Sequence, residues 1–518
     1  MEVNESDPTM KTKLSAIAGA VALLLSPLPL ARGAGVTIIT HGANGNGAGW
    51  INPMAQQITS YDSFPGSASS YYEITVEVGF FHELVVTQTK LGGASPTVSD
   101  SGEILIFIDW SAPGFDPFFS TSDIANSVVP MLLRTDFIPE LGGRALVEFP
   151  IHLIGHSRGG SLISKMSELL GNQGVWVDHL TTLDPHPVPE IGDPDVQVFA
   201  NVLFADNYWQ TNPVTECPSG QSVAGAYNRF LTNLLNGDSC NHSDVHFWYH
   251  GTIDWSHTPI TVDGATITSG ERVAWWTGYE SQGRNAGFYY SLIGGSNRLS
   301  TNEPAGAGNG RIRDGINQMW DVGAGTLSNR RALAANNAAW PNLIKLDFEA
   351  ARTVVQGDAV SLRYFFQFGQ LVSETALVQV RIDNDANPYN GDLGEAFQVT
   401  EPGTGTGSVG QRQFTFNTTN TPPGQYHVYA KISAGGRARY LPASGKLVVK
   451  SPTALGIVHS GNDVVVTWPT NAVGFVLEST TILLNPWTTV SQTPVVINGQ
   501  NTVTNSVRTW NEFYRLKK

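Results

Sequence analysis

Five residues near the middle of the N-terminal half, Gly155-His156-Ser157-Arg158-Gly159, set a hydroxyl between two glycines, each two positions away. A serine attacks carbonyl groups best from a sharp turn between a strand and a helix. The turn exposes the hydroxyl, and the helix start aims backbone N–H groups at the oxyanion that develops. The flanks fit that context. Ile151, Leu153 and Ile154 lead in, and Leu162, Ile163, Met166, Leu169 and Leu170 follow at helical spacing. Gly171 is read as the helix stop. An ordinary glycine-rich turn shares the five letters but not this surrounding pattern.

Such a serine needs an acid and a base, in the chain order Ser, Asp, His. Asp184 closes the apolar run ending Leu183-Asp184-Pro185, and Asp206, at the end of the run from Val202 to Ala205, is its rival. Two histidines follow in Cys240-Asn241-His242-Ser243-Asp244-Val245-His246. His242 falls at the start of an apolar helical stretch, whereas His246 falls inside it beside Trp248 and Tyr249, as a packed core histidine would. Near the N-terminus the buried run Val36–Thr40 ends in His41-Gly42-Ala43, where hydrolases of this type place a second oxyanion donor.

The elements that must carry these groups alternate. The runs at Val36–Thr40, Ile104–Asp109, 151–154 and 175–183 are rich in apolar residues, as buried parallel strands are, and helical patterns separate them. Residues 124–133 make one such helix. The fold class is therefore α/β, with chemistry gathered at the carboxyl ends of the strands. Between Cys217 and Cys240, the only two cysteines, Tyr227, Phe230, Leu231, Leu234 and Leu235 predict an amphipathic helix over 227–235. On a loop whose ends a Cys217–Cys240 disulfide could join, that helix would serve as a lid over an apolar pocket or be packed on the core.

From about residue 36 to 255 the sequence resembles the lipase family that includes the pancreatic and lipoprotein lipases. The likeness rests on His41-Gly42, Asp109-Trp110, Gly155-His156-Ser157-Arg158-Gly159, Leu183-Asp184-Pro185 and Cys240-Asn241-His242. It implies an α/β-hydrolase fold and a triad of Ser157, Asp184 and His242. It also implies an oxyanion hole from the backbone N–H groups of Ala43 and Arg158, and a disulfide-closed lid. Relative to the family, the stretch from Gly42 to Asp109 is long and the stretch from Asp184 to His242 is short.

The net charge of −14, with 30 Lys and Arg, excludes nucleic acid and anionic membrane surfaces as partners. Lys11 and Lys13 precede an apolar run from Leu14 to Leu30, broken by Pro27 and Pro29, with Ala31 and Gly33 at the positions a signal peptidase reads. Residues 1–33 are thus expected to be a signal peptide, the mature chain secreted or periplasmic, with no stable membrane insertion. The catalytic domain is expected over 34–293 and a linker over 294–342, with a short helix at 310–319. A β-sandwich (Ig-like) module over 343–450 and a small β-module over 451–518 follow. Asp383, Asp385, Asn387, Asn390 and Asp392 crowd oxygens into one turn, a candidate structural calcium loop whose competing reading is an Asx-rich turn. The chemistry itself needs no cofactor. The expected function is hydrolysis of carboxylic esters, lipids first. Esterase action on polyesters or acylated polysaccharides, and adhesion by an inactive hydrolase fold, are the alternatives.

Overall fold

The computed structural model describes residues 35–43, 45, 49–59, 69–98, 102–114, 118–211, 217–231, 234, 241–254, 259–262, 265–275, 287–293, 330–334, 340–405, 408–443, 445–451, 454–470, 472, 474–484, 486–506 and 511–517. The leader at 1–33 and the helix expected at 310–319 lie outside them, as does most of the linker.

The site is carried by one sheet in the order β3-β2-β4-β1-β5-β6-β7-β8. Its strands are β1 (Val36–Thr40), β2 (Ser70–Val78), β3 (Leu84–Gly92), β4 (Ile104–Asp109), β5 (Ile151–His156), β6 (Val177–Leu183), β7 (Val202–Trp209) and β8 (Tyr227–Phe230). All neighbours pair in parallel except the β2–β3 hairpin. Four helices matter here: α1 (Ile51–Ile58), α2 (Thr121–Leu132), α3 (Arg158–Asn172) and α4 (Asn241–Gly251).

Why the strands lack the apolar-polar alternation of a half-exposed sheet is visible in the packing. Ile38, Ile106 and Leu153 face a cluster with Ile124 and Val128 of α2 and Leu162 and Met166 of α3. Their chain neighbours Ile39, Phe107 and Ile154 face Met54 of α1 and Val245, Trp248 and Tyr249 of α4. Side chains alternate between faces with a period of two, so a sheet buried on both faces carries apolar residues on both.

Two readings of the sequence are corrected. Gly171 does not stop α3. It lies within the helix, and the stop comes at Gly174, which adopts the left-handed φ of 81° that glycine tolerates best. The helix expected over 227–235 is not formed over its described part, 227–231. Residues 227–230 are β8, pairing in parallel with β7 from Asp206↔Tyr227 onward. Five apolar residues in nine suit either element. An open β7 edge, with its row of unpaired backbone groups, decides for the strand. Tyr227, Leu231 and Leu234 are buried in the core while Phe230 is exposed, so the described residues do not present the single apolar helix face expected of a lid.

A compact unit comprising 1–352, 359–417 and 425–448 holds this sheet together with most of the region read as a first β-module. There, strands Asn342–Phe348, Ala359–Gln367 and Gly410–Asn417 form one antiparallel sheet. Thr375–Asp383, Gly394–Pro402 and Gly424–Ala434, with Arg437–Pro442, belong to another. Polar bonds tie this region to the parallel sheet: Trp176 Nε1 donates to Gln367 Oε1 at 2.8 Å, and the buried Arg439 donates to the carbonyls of Val147 and Trp176. The second unit, 353–358, 418–424 and 449–518, has two small antiparallel sheets around Val466, Trp468, Leu477 and Val503. Among the described residues, no helix is long and apolar enough to cross a membrane.

One buried acid gives the parallel sheet a pH dependence. Glu103 accepts from Gly35 N–H and the Thr37 hydroxyl, both at 2.6 Å. Burial outweighs those two bonds and pushes its carboxyl from 4.5 up to about 7. The folded state then holds a proton that the unfolded chain has released, so the stability it contributes is full below pH 4.5 and lost as pH rises to about 7. Urea denaturation at pH 5 and pH 8 should show that loss in the wild type and a smaller one in Glu103→Gln. Equal slopes in the two proteins would remove Glu103 from the account.

Candidate active site

The chain leaves β1 through α1 on one face of the sheet and leaves β5 through α3 on the other. Connections that diverge from adjacent parallel strands open a crevice at their carboxyl ends. His41-Gly42-Ala43 and Ser157 stand at this crevice.

Between the end of β5 at His156 and the start of α3 at Arg158, Ser157 alone makes the turn, with φ 57° and ψ −126°. Such a conformation costs a non-glycine residue about 1–3 kcal/mol, so the surroundings must impose it. They do. Ser157 N–H donates to Leu183 O at 3.0 Å, and Ser157 O accepts from Gly160 N–H and His186 N–H at 2.9 and 3.1 Å. The turn is tight enough that a Cβ on Gly155 would stand 2.3 Å from Gly159 O, and one on Gly42 would stand 2.4 Å from the Ser157 Cβ. Both glycines are required by that crowding.

Asp184 is the first residue past β6 and is fully buried. Its Oδ1 accepts from Gln210 N–H at 2.8 Å, and its Oδ2 accepts from Gln210 Nε2 at 2.9 Å and from His242 Nδ1 at 2.5 Å. His242 is the second residue of α4, and its carbonyl accepts from His156 Nε2 at 2.9 Å. The rings of His156 and His242 lie 4.5 Å apart, which sets the histidine beside the serine turn. A proton on Nδ1, where the carboxylate demands it, leaves the Nε2 lone pair free to accept another. Among the described residues the Ser157 hydroxyl has no hydrogen-bond partner, so the serine–histidine bond is not formed in this structure.

The rival residues are otherwise engaged. Asp206 pairs across the sheet with Thr181, short of the strand ends, and accepts from His179 Nε2 at 2.9 Å, Thr181 Oγ1 at 2.6 Å and the Tyr208 hydroxyl at 2.9 Å. His246 lies one turn into α4, stacked on Trp50 at 4.4 Å and edge-on to His156 at 4.9 Å. Burial holds its imidazole well below the usual range, hence neutral.

Of the two expected oxyanion donors, Arg158 is the first residue of α3, and Ala43 follows Gly42 in the exposed turn. The Arg158 side chain turns inward. Its guanidinium grips Asp193 at 2.6 and 2.8 Å and lies 5.1 Å above the Trp110 ring, which stacks on His41 at 5.0 Å. One packed chain thus fixes both loops of the crevice. Asp109 closes it at the end of β4: burial pushes its carboxyl up, but bonds from His41 and Ser111 outweigh this and hold it at about 2. Replacing Asp193 by alanine would remove the carboxylate that both Nε and Nη2 of the buried Arg158 grip, at a cost of about 3–5 kcal/mol. Chemical denaturation should show that loss, with activity falling alongside; a loss below about 1 kcal/mol would mean water replaces the carboxylate.

No protein-family model and no curated protein matches the chain. Among solved structures it shows a likeness to the Pseudomonas fluorescens alkylpurine DNA glycosylase AlkC bound to DNA containing an abasic site analog, at 14% identity and TM-score 0.15, over 22% of this chain and 31% of that one. It shows another to a marsupial T cell receptor, at 11% identity and TM-score 0.16, over 38% of this chain and 62% of that one. In both cases the match spans less than two thirds of the other chain. At such TM-scores neither likeness bears on fold or function.

Three residues of the site were not singled out by the sequence. Gln210 clamps the acid, His156 holds the His242 carbonyl, and Asp193 neutralises Arg158. Gln210 follows the last residue of β7, and position at a strand's carboxyl end was the available signal. Cys217 is disulfide-bonded, while Cys240 lies outside the described residues. The residues of the calcium candidate bond among themselves and to neighbouring segments. Asp392 pairs with Arg381 at 2.8 Å, Asn387 Nδ2 donates to Pro96 O at 2.6 Å, and Asn390 Nδ2 donates to Asp385 at 2.9 Å. Among the described residues no three His, Cys, Asp or Glu side chains gather as metal ligands.

Proposed function

We propose that this chain is an exported serine hydrolase of carboxylic esters, built on an α/β-hydrolase fold, with Ser157 as nucleophile, His242 as base and Asp184 as its orienting acid. The observation that carries the reading is the hydrogen bond from His242 Nδ1 to Asp184, made beside a serine held at positive φ on a strand-to-helix turn. His242 Nε2 takes the hydroxyl proton as Ser157 Oγ attacks the ester carbonyl. The oxyanion is met by the N–H groups of Arg158 and Ala43, and His242 then protonates the departing alkoxide. Water attacks the acyl-enzyme with the same histidine as base.

Lipid esters are the favoured substrates by resemblance to the pancreatic and lipoprotein lipases. The lid is no part of this reading. Hydrolysis of p-nitrophenyl acetate and p-nitrophenyl palmitate by the purified chain tests it. Turnover of both, with the long chain favoured once it forms an aggregate, is expected. No turnover of either would leave an inactive binding protein.

A further inference from the structure

We infer that the tip of the β2–β3 hairpin is a wedge that seats the crevice on an uncharged lipid surface, an inference that rests on the ester-hydrolase reading above. Phe80 and Phe81 are 94% and 84% exposed, with rings 5.1 Å apart, and Phe118 is 77% exposed. Large apolar side chains in such a cluster mark an interaction surface.

The tip is held rather than loose. Gly79 N–H donates to Glu83 O at 2.7 Å, His82 N–H donates to Gly79 O at 3.0 Å, and Phe81 N–H donates to the Glu83 carboxylate at 2.8 Å. The His82 ring stacks on Phe119 at 4.9 Å and meets Phe118 edge-on at 5.5 Å, joining the hairpin to the segment between β4 and α2.

Register places the tip on the crevice side. Gly155 pairs with Thr40, Thr40 with Ile108, and Ile108 with Ile74, so Ser157 is level with Val76. Phe80 projects four residues beyond that level, or roughly 13 Å, from a strand three spacings and about 14 Å to the side. That is the rim of the crevice mouth.

Area and charge select the occupant. Three phenylalanine rings offer about 450–750 Å² between them, short of the roughly 800 Å² a stable protein partner needs from each side. A small convex aromatic tip suits a deformable apolar boundary, where rings insert about 5–10 Å deep. Exposed Glu77 and Glu83 flank it, and the chain carries a net charge of −14, so an anionic surface is repelled while an uncharged or zwitterionic one is accepted.

The test is flotation with phosphatidylcholine vesicles and with phosphatidylglycerol vesicles, using the full chain and the double variant F80S/F81S. The wild type should bind phosphatidylcholine more tightly than phosphatidylglycerol. The variant should bind phosphatidylcholine about 100-fold more weakly and keep its kcat/KM on p-nitrophenyl acetate within about twofold. Equal binding by both proteins, no binding by the wild type, or preference for phosphatidylglycerol would overturn the inference. So would a wild-type dimer that the variant abolishes, since the tip would then join two copies. Vesicle binding without ester turnover would sink the hydrolase reading but not the wedge. Turnover of soluble ester without vesicle binding would sink the wedge alone.

Discussion

Ser157→Ala should lower ester hydrolysis by about 10⁴–10⁶-fold, with a melting temperature within a few degrees of the wild type. The turn is set by backbone bonds, none of which involves the hydroxyl, and by close approach of glycines. Alanine keeps the Cβ that Gly42 and its neighbours already accommodate, and it tolerates φ 57° no worse than serine does. With no bond to the hydroxyl among the described residues, its removal leaves no buried partner unsatisfied. Activity and stability should therefore separate cleanly. A variant that keeps more than about one-hundredth of wild-type turnover would place the nucleophile elsewhere.

Asp184→Asn should cost about 10⁴-fold in kcat, although the two side chains have nearly the same shape. Both carboxylate oxygens accept hydrogen bonds from Gln210, and Oδ2 also accepts from His242. An amide has only one oxygen, so its NH₂ must face a donor at one of the two positions. Placed toward His242, it forces Nδ1 to become the acceptor and moves the ring proton to Nε2, the atom that must take the serine proton. His242→Ala should be as severe. His246→Ala should instead open a hole between Trp50 and His156, appearing in the denaturation midpoint with kcat changed by less than about tenfold. The reverse ordering of the two histidine variants would exchange their roles.

What could be read from sequence follows from which signals are local. A parallel strand buried on both faces has no solvent face to alternate with, so Val36–Thr40 and Ile104–Asp109 stand out by their β-branched and apolar residues, whereas Val177–Leu183 mixes apolar with buried polar residues. The serine turn is legible because its glycines and flanking periodicities lie within about twenty residues. The element at 227–230 was not legible, because what makes it a strand is the open edge of β7 in space. Nor could sequence alone choose between Asp184 and Asp206. Each ends an apolar run, and only the register, with Asp206 opposite Thr181 and Asp184 past the Leu183↔Tyr208 pair, separates buried network from crevice. Gly171 looked like a helix stop because its other role, close packing against Asn201 and Leu333, depends on residues distant in sequence.

The central claim is that Ser157 is a nucleophile activated by the His242–Asp184 pair. Treating the folded wild type and the His242→Ala variant with a fluorophosphonate, then mapping the adduct by peptide mass spectrometry, tests it most directly. One adduct is expected, on Ser157 of the wild type, with labelling of the variant slower by at least about 10³-fold. Wild-type labelling on another residue, or equal labelling of Ser157 in both proteins, would contradict it.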